Sequence, residues 1–365
     1  MPTTPTIVRL GDLEVGPHRP PVIVAELSAN HGGSLERALD LITAAAEAGA
    51  HAVKLQTYTP DTMTLDIDDR EFFIDDPESL WHGRSLYDLY DEARTPWEWH
   101  PALFERCREV GLTCFSSPFD GSAVAFLEGL GVPCYKLASF EVTDLPLLRR
   151  MAATGKPIIM STGMGSAAEL DEAVRCAREA GCRELILLKC TSTYPADPAA
   201  SNLRTVPHLA ALFGTQVGLS DHTPGIGAAV ASVALGVTLI EKHFTLNRSD
   251  GSVDAAFSLE PDEMRALVIE TERAWRALGT VHYGPTTDEQ RSLKSRRSLY
   301  VVADLRVGDV ITVDNIRAVR PGLGLPPRYL EVVLGARIAC DVAKGTPLTW
   351  DLLMPRVSTP DGTDS

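Results

Sequence analysis

His222 and His243 each follow a short apolar run, 217–219 and 237–240, and a Gly- and Ala-rich stretch, 225–235, lies between the runs. Strand, helix, strand in that order is a βαβ unit, whose parallel strands open their carboxyl ends on one edge of the sheet. The two imidazoles can therefore converge. A pair of neutral imidazoles on rigid strand ends suits a divalent metal ion that keeps positions open for water or substrate. Two hydrogen-bonded histidines at the rim of a sheet would satisfy the same pattern. Alternation along a strand puts Ser220 on the face of His222, and Glu241 on the face of His243.

Other apolar runs also end in polar groups. They deliver Glu26; Lys54 and Gln56; Ser116 and Ser117; Lys136, Ser139 and Glu141; Ser161 and Thr162; and Lys189, Thr191, Ser192 and Tyr194. One lysine after an apolar run ordinarily snorkels to water. Gathered at one mouth, two or three ammonium groups and several hydroxyls suit a phosphate plus a carboxylate. Glu26 reads either as a general acid or base whose pKa is raised by desolvation, or as a salt-bridge partner of a lysine. Two mechanisms compete: a lysine Schiff base with a carbonyl substrate, or a histidine-held metal that polarises an aldehyde, and the histidine pair favours the second. A third class is non-catalytic sugar binding by a C-terminal β-rich module.

The elements that must position these groups repeat a strand-helix beat. Runs at 21–27, 51–56, 112–116, 134–138, 157–160 and 184–189 precede the two already described, with helical spacing between most of them, for example at 35–50, 97–110, 122–130, 145–153, 167–180 and 203–213. Eight beats fit a (β/α)8 barrel better than an open doubly wound sheet, and no GxGxxG follows the first strand. A last helix at 262–278 closes the ring. The one long connection, 57–95, is acidic and aromatic, follows strand two at the carboxyl face, and reads as a substrate lid. The expected organisation is a catalytic barrel over 1–280, a polar linker over 281–295, a small β-rich domain over 296–357 and a disordered tail over 358–365. "ADLRVGDVITVDNI" and "CDVAKGTPLTWDLL" in the small domain share one cadence.

The 365 residues carry a net charge of −15, with 44% hydrophobic and 23% charged residues. That balance supports a large core and argues against a nucleic-acid or anionic-membrane partner. Seven cysteines without a CxxC pair read as reduced thiols of a cytoplasmic protein. The N-terminus has no signal-peptide pattern, and no apolar run is long enough to span a bilayer.

In chain order, "IVAELSANHGGSLERAL", "AVKLQTY", "FSSPFD", "YKLASFE", "STGM", "LLKCTSTYP", "GLSDHT" and "IEKHFT" resemble the sialic acid synthase family, and "RRSLY" through "VRPGLGL" resembles its antifreeze-like (SAF) domain. Within the family, "QTYTPDTMTLD", "LWHGRSLYDLYDEARTPWEWH" and "RSDGSVDAAFSLEP" look most like the pseudaminate branch rather than the N-acetylneuraminate or legionaminate branches. The resemblance implies condensation of phosphoenolpyruvate with an N-acetylated 6-deoxy amino sugar, 2,4-diacetamido-2,4,6-trideoxy-β-L-altropyranose. It further implies that His222 and His243 bind Mn²⁺, Mg²⁺ or Co²⁺, and that Lys54, Lys136, Ser117, Ser139, Ser161, Ser192 and Ser220 hold phosphoenolpyruvate. Glu26 would handle a proton, Gln56, Glu141, Tyr194 and Asp254 would meet the sugar, and Arg320 would reach its acyl group in the neighbouring subunit of a domain-swapped homodimer. Ser192 and Ser117 depart from the Asn and Thr common in the neuraminate branch, although both remain donors.

Overall fold

The computed structural model describes residues 7–355, and the chain divides into two compact units between Gly279 and Thr280. The tail expected over 358–365, and the last residues of the small domain, lie outside the described residues.

The first unit is a closed barrel of eight parallel strands: β3 (Val22–Glu26), β4 (Ala52–Thr57), β5 (Thr113–Pro118), β6 (Tyr135–Leu137), β7 (Ile158–Ser161), β8 (Leu185–Cys190), β9 (Gln216–Ser220) and β10 (Leu239–His243). Strand β10 closes it against β3, with Leu239 opposite Val22 and His243 opposite Glu26. A preceding hairpin, β1 (Val8–Leu10) and β2 (Leu13–Val15), gives Val8, Leu10 and Val15 to the cluster that fills the barrel interior with Val22, Val24, Ala52, Phe115, Ile159, Ile186, Leu188 and Leu239. The intervening residues, Ile23, Ala25, Val53, Ile158, Leu187 and Ile240, pack outward with the surrounding helices.

Strand alternation then decides what reaches the mouth. Continuing the inward phase from Val24, Ala52, Phe115, Ile159, Leu188 and Leu239 selects Glu26, Lys54, Ser117, Ser161, Cys190 and Glu241. The interior is tight at Gly218, where an added Cβ would lie 2.3 Å from the Leu239 carbonyl oxygen and 2.6 Å from Leu188 Cδ2. The helices begin at local caps: Ser166 and Glu169 form a capping box ahead of Ala167–Glu179, and Asp120 accepts from Ser122 and Ala123 at the start of Gly121–Leu130, each satisfying otherwise orphaned amides.

Several expected boundaries move. His243 is the last residue of β10 rather than a residue beyond its end, because pairing with β3 extends that strand. The 97–110 helix is a 3₁₀ turn, Trp97–Trp99, followed by an α-helix, His100–Glu109. The long connection holds helices Pro60–Met63 and Leu86–Ala93, with Phe73 bridged to Ser85.

The second unit contains one antiparallel pair, β11 (Ser298–Val301) and β12 (Ile316–Val319), and several isolated bridges rather than a run of strands. Its two echoing segments pair with one another. Leu305 and Val342 exchange backbone hydrogen bonds of 2.8 Å in both directions. Asp304 Oδ1 accepts from the Lys344 amide and Asp341 Oδ1 from the Val307 amide, both at 2.8 Å. The repeat is thus a local pseudo-twofold around a core of Leu299, Val301, Ile311, Ile316, Ile338 and Leu348.

Candidate active site

The carboxyl mouth of the barrel opens into a cavity of about 360 Å³. Of the residues singled out in the sequence, Lys54, Gln56, Lys136, Ser139, Glu141, Ser161, Ser192, Tyr194, Ser220, His222, His243 and Asp254 line it. Glu26 and Ser117 are fully buried and lie outside that lining. Arg320 is exposed past the end of β12 in the second unit. Lys189 does not join the mouth: it sits between inward-facing Leu188 and Cys190, and its Nζ donates to the Cys190 carbonyl at 2.7 Å.

One end of the cavity is cationic and donor-rich. Lys54 Nζ lies 2.5 Å from Glu26 Oε2 and 3.7 Å from Glu241 Oε1, and donates to Ser117 Oγ at 3.4 Å. Lys136 Nζ is 4.0 Å from the same Glu241 oxygen. Ser139 and Ser192 hydroxyls share a hydrogen bond of 2.7 Å, and Ser220 Oγ donates to Glu241 Oε1 at 3.4 Å. Burial opposes the Lys54 ammonium, but Glu241 and Glu26 outweigh it and raise its pKa. Burial lowers that of Lys136. Burial also pushes the Glu26 carboxyl up to about 7 against the pull of Lys54, whereas the two lysines, Lys136 foremost, overcome burial at Glu241 and hold it low. The buried Ser161 Oγ, Glu141 Oε2, Glu241 Oε2 and His243 Nδ1 have no hydrogen-bond partner among the described residues, and such idle buried polar atoms ask for a ligand.

The histidines do converge, with ring centroids 5.3 Å apart. His222 Nδ1 is 2.9 Å from the Thr191 carbonyl oxygen, which can only accept, so Nδ1 carries a proton and the neutral form of the ring presents its lone pair at Nε2; burial opposes the charged ring, but Cys190 and the Thr191 carbonyl outweigh it and raise its pKa. Burial and the neighbouring cations drive the His243 pKa well below its ordinary value, leaving a neutral ring. Asp254 Oδ2 stands 4.0 Å from His243 Nδ1. These donors suit a divalent ion with most of its coordination left open: among the described residues no set of three His, Cys, Asp or Glu side chains gathers for one.

One feature escaped sequence reasoning, and a second was read only in outline. Ser28 has a positive φ of 44°, its hydroxyl donates to Asp254 Oδ2, and Gln56 Nε2 donates to Ser28 Oγ at 3.0 Å and to Glu26 Oε1 at 3.2 Å. A non-glycine residue held there by a hydrogen-bond network is a mark of a site under constraint. The second feature is the apolar wall. Met63, Ile74, Trp81, Leu86, Leu89 and Tyr90 of the long connection line the cavity, and Trp81 Nε1 donates to the Val253 carbonyl at 3.1 Å, next to Asp254. The connection's length, aromatic content and place after strand two mark it as a lid; which of its side chains line the mouth has no signal in the sequence.

An eight-stranded (β/α)8 barrel whose mouth combines lysines, serine hydroxyls and paired imidazoles defines the class of enzyme. More particularly, the chain belongs to the NeuB family, whose model matches residues 41–283, and a SAF domain follows at 296–354. It is 44% identical over 329 residues to a pseudaminic acid synthase of Campylobacter jejuni, covering 89% of this chain and 94% of that protein. Identity to a pseudaminic acid synthase of Helicobacter pylori is 42% over 335 residues, with coverages of 91% and 98%. An N,N'-diacetyllegionaminic acid synthase of Legionella pneumophila is 35% identical over 337 residues, covering 90% and 93%. The crystal structure of an N-acetylneuraminic acid synthetase from Leptospira borgpetersenii, in complex with citrate, superimposes with a TM-score of 0.71 at 31% identity, over 80% of this chain and 97% of that one. No helix among the described residues is long and apolar enough to cross a membrane.

Proposed function

We propose that this chain performs the pseudaminic acid synthase reaction, condensing phosphoenolpyruvate and water with 2,4-diacetamido-2,4,6-trideoxy-β-L-altropyranose to give pseudaminic acid and phosphate. The observation that carries the reading is the placement of two lysines and a row of serines beside two neutral-capable imidazoles in one cavity. The 42% and 44% identity to two pseudaminic acid synthases selects the branch.

In this reading Lys54, Lys136, Ser117, Ser139, Ser161, Ser192 and Ser220 hold the phosphate and carboxylate of phosphoenolpyruvate through charge-assisted hydrogen bonds. A divalent ion bound by His222 and His243, Mn²⁺, Mg²⁺ or Co²⁺, would polarise the aldehyde of the open-chain sugar. Carbon three of phosphoenolpyruvate attacks the aldehyde carbon, and the former aldehyde oxygen takes up a proton from solvent water. The cationic centre left at carbon two is stabilised by the carboxylate of Glu241, held ionised by Lys136 and Lys54. Water adds there, Glu26 accepts its proton, and the tetrahedral intermediate expels phosphate by cleavage of its carbon-oxygen bond. Glu26 also stands as the proton handler for opening the sugar ring. Gln56, Glu141, Tyr194 and Asp254 meet the sugar. Arg320, supplied by the partner chain of a domain-swapped homodimer, meets its acyl group, and the free thiols suit a cytoplasmic enzyme.

The test is phosphate release with Mn²⁺, comparing the altrose acceptor with N-acetylmannosamine and with the diacetamido mannose analogue. Selective turnover of the altrose sugar is expected. Preference for a mannose-type acceptor would move the chain to a sister branch, and trapping of pyruvate on a lysine by borohydride would replace the mechanism with a Schiff base.

A further inference from the structure

The opposite phase of the two histidine strands carries a second pair of side chains. Register between β9 and β10, Leu219 with Ile240 and Ser220 with Glu241, extends by one residue to Asp221 beside Lys242 and by two to His222 beside His243. Lys242 and Asp221 side chains are 1% and 2% exposed, and Nζ lies 2.9 Å from Asp221 Oδ2. The same ammonium donates to the carbonyl oxygens of Thr223 at 2.6 Å and Gly225 at 2.7 Å. All three of its N–H groups therefore have acceptors. The other oxygen, Asp221 Oδ1, accepts from the Thr223 amide at 3.0 Å, and the Asp221 amide itself donates to the Glu241 carbonyl at 2.9 Å.

Taken together, these bonds bracket His222. Residues 221, 223 and 225 are tied to Lys242, the immediate neighbour of His243, so the backbone on both sides of one imidazole is fastened to the backbone that carries the other. A buried ion pair is a poor source of stability, because desolvating both charges cancels most of their attraction, and its best-supported benefit is to fix one arrangement among several. Here the arrangement it fixes is the spacing of the two rings.

We infer that Lys242 and Asp221 are positioning residues that set the separation and angle of the His222 and His243 imidazoles, and so the affinity of the pair for a divalent ion. The inference rests on the two-histidine reading above. Neither residue lines the cavity, and the Lys242 ammonium has all its hydrogen bonds within the protein. A pair of ligands that leaves most of the coordination sphere open depends on preorganisation more than a closed four-ligand site does, since it has no further side chains to recover a lost angle.

The experiment is Mn²⁺ titration of metal-stripped, full-length protein, with free Mn²⁺ read by electron paramagnetic resonance, for the wild type, Asp221→Asn, Lys242→Met, the double variant and His222→Ala, each checked for folding by circular dichroism. Asp221→Asn and Lys242→Met are expected to weaken Mn²⁺ binding at least tenfold. Combining them removes the orphaned buried charge, so the double variant is expected to melt closer to wild type than either single variant while its Mn²⁺ affinity stays at least tenfold weaker. That split separates positioning from bulk stability. Should Lys242→Met not fold, the charge-neutral double variant and Asp221→Asn carry the same test. A folded variant at either position that binds Mn²⁺ within twofold of wild type overturns the inference. If His222→Ala also binds like wild type, the two-histidine reading falls with it; if His222→Ala loses Mn²⁺ and Asp221→Asn keeps it, only the positioning role falls.

Discussion

Lys54 and Glu26 stand opposite each other on adjacent strands, ammonium and carboxylate 2.5 Å apart and almost wholly buried. Such a pair cannot be broken cheaply, since the remaining charge stays in a low-dielectric interior. It nevertheless leaves Glu26 with a carboxyl pushed up to about 7 by burial, poised to exchange a proton near neutrality.

A base must be deprotonated to act, so kcat/KM should rise as pH increases through about 7. Glu26→Gln preserves shape and removes the titration. Its kcat should fall by about 10²–10⁴-fold, the range of general acid-base catalysis, and the ascending limb should flatten. Wild-type turnover by Glu26→Gln across that range would remove Glu26 from the chemistry.

Glu141 offers a stability test. Burial raises its carboxyl from 4.5 to about 7, so the folded state binds this proton more tightly than the unfolded chain. Between those values folding takes up a proton, and stability falls as pH rises; the penalty is complete above about 7 and absent well below 4.5. Glu141→Gln should therefore be more stable than wild type at pH 8, by at most about 3 kcal/mol, and nearly equal to it at pH 4. Parallel melting profiles from pH 4 to 8 would contradict this.

Gly163 sits at a φ of +46°, and a Cβ there would lie 2.4 Å from Ser139 Cβ and 2.9 Å from Ser192 Oγ. Gly163→Ala must push apart two hydroxyls proposed to hold phosphate. KM for phosphoenolpyruvate should rise at least tenfold, consistent with loss of one or two charge-assisted hydrogen bonds, and KM for the sugar should change far less. Equal effects on both substrates would speak for general disruption.

Trp81 ties the apolar wall to the segment carrying Asp254. An apolar wall suits a 6-deoxy methyl group, and such walls reject an added hydroxyl by about 10²-fold. Trp81→Ala should lower kcat/KM for the deoxy sugar and shrink its advantage over a 6-hydroxy analogue, with KM for phosphoenolpyruvate unchanged. An unaltered ratio of the two sugars would show that selection lies elsewhere.

The inward residues at the mouth were legible because a strand's alternation is local: once Val24, Ala52 and Leu239 are known to face inward, Glu26, Lys54 and Glu241 follow at a spacing of two. Lys189 was legible too, by the same phase that places it outward, but reading only its position at a strand end put it in the mouth. The long connection was visible as a lid at the carboxyl face, but not its individual wall residues, because nothing in an irregular connection fixes which side chains turn inward.

Sequence alone thus determined the eightfold beat, the barrel class and the chemical types at the strand ends, since these follow from short-range periodicity and from turn and cap chemistry. Tertiary structure decided the rest. Ser28 meets Asp254, 226 residues away in the chain, and Lys242 reaches around His222 only because β10 lies between β9 and β3. Contacts of that range are set by barrel closure and strand register, which no local pattern encodes.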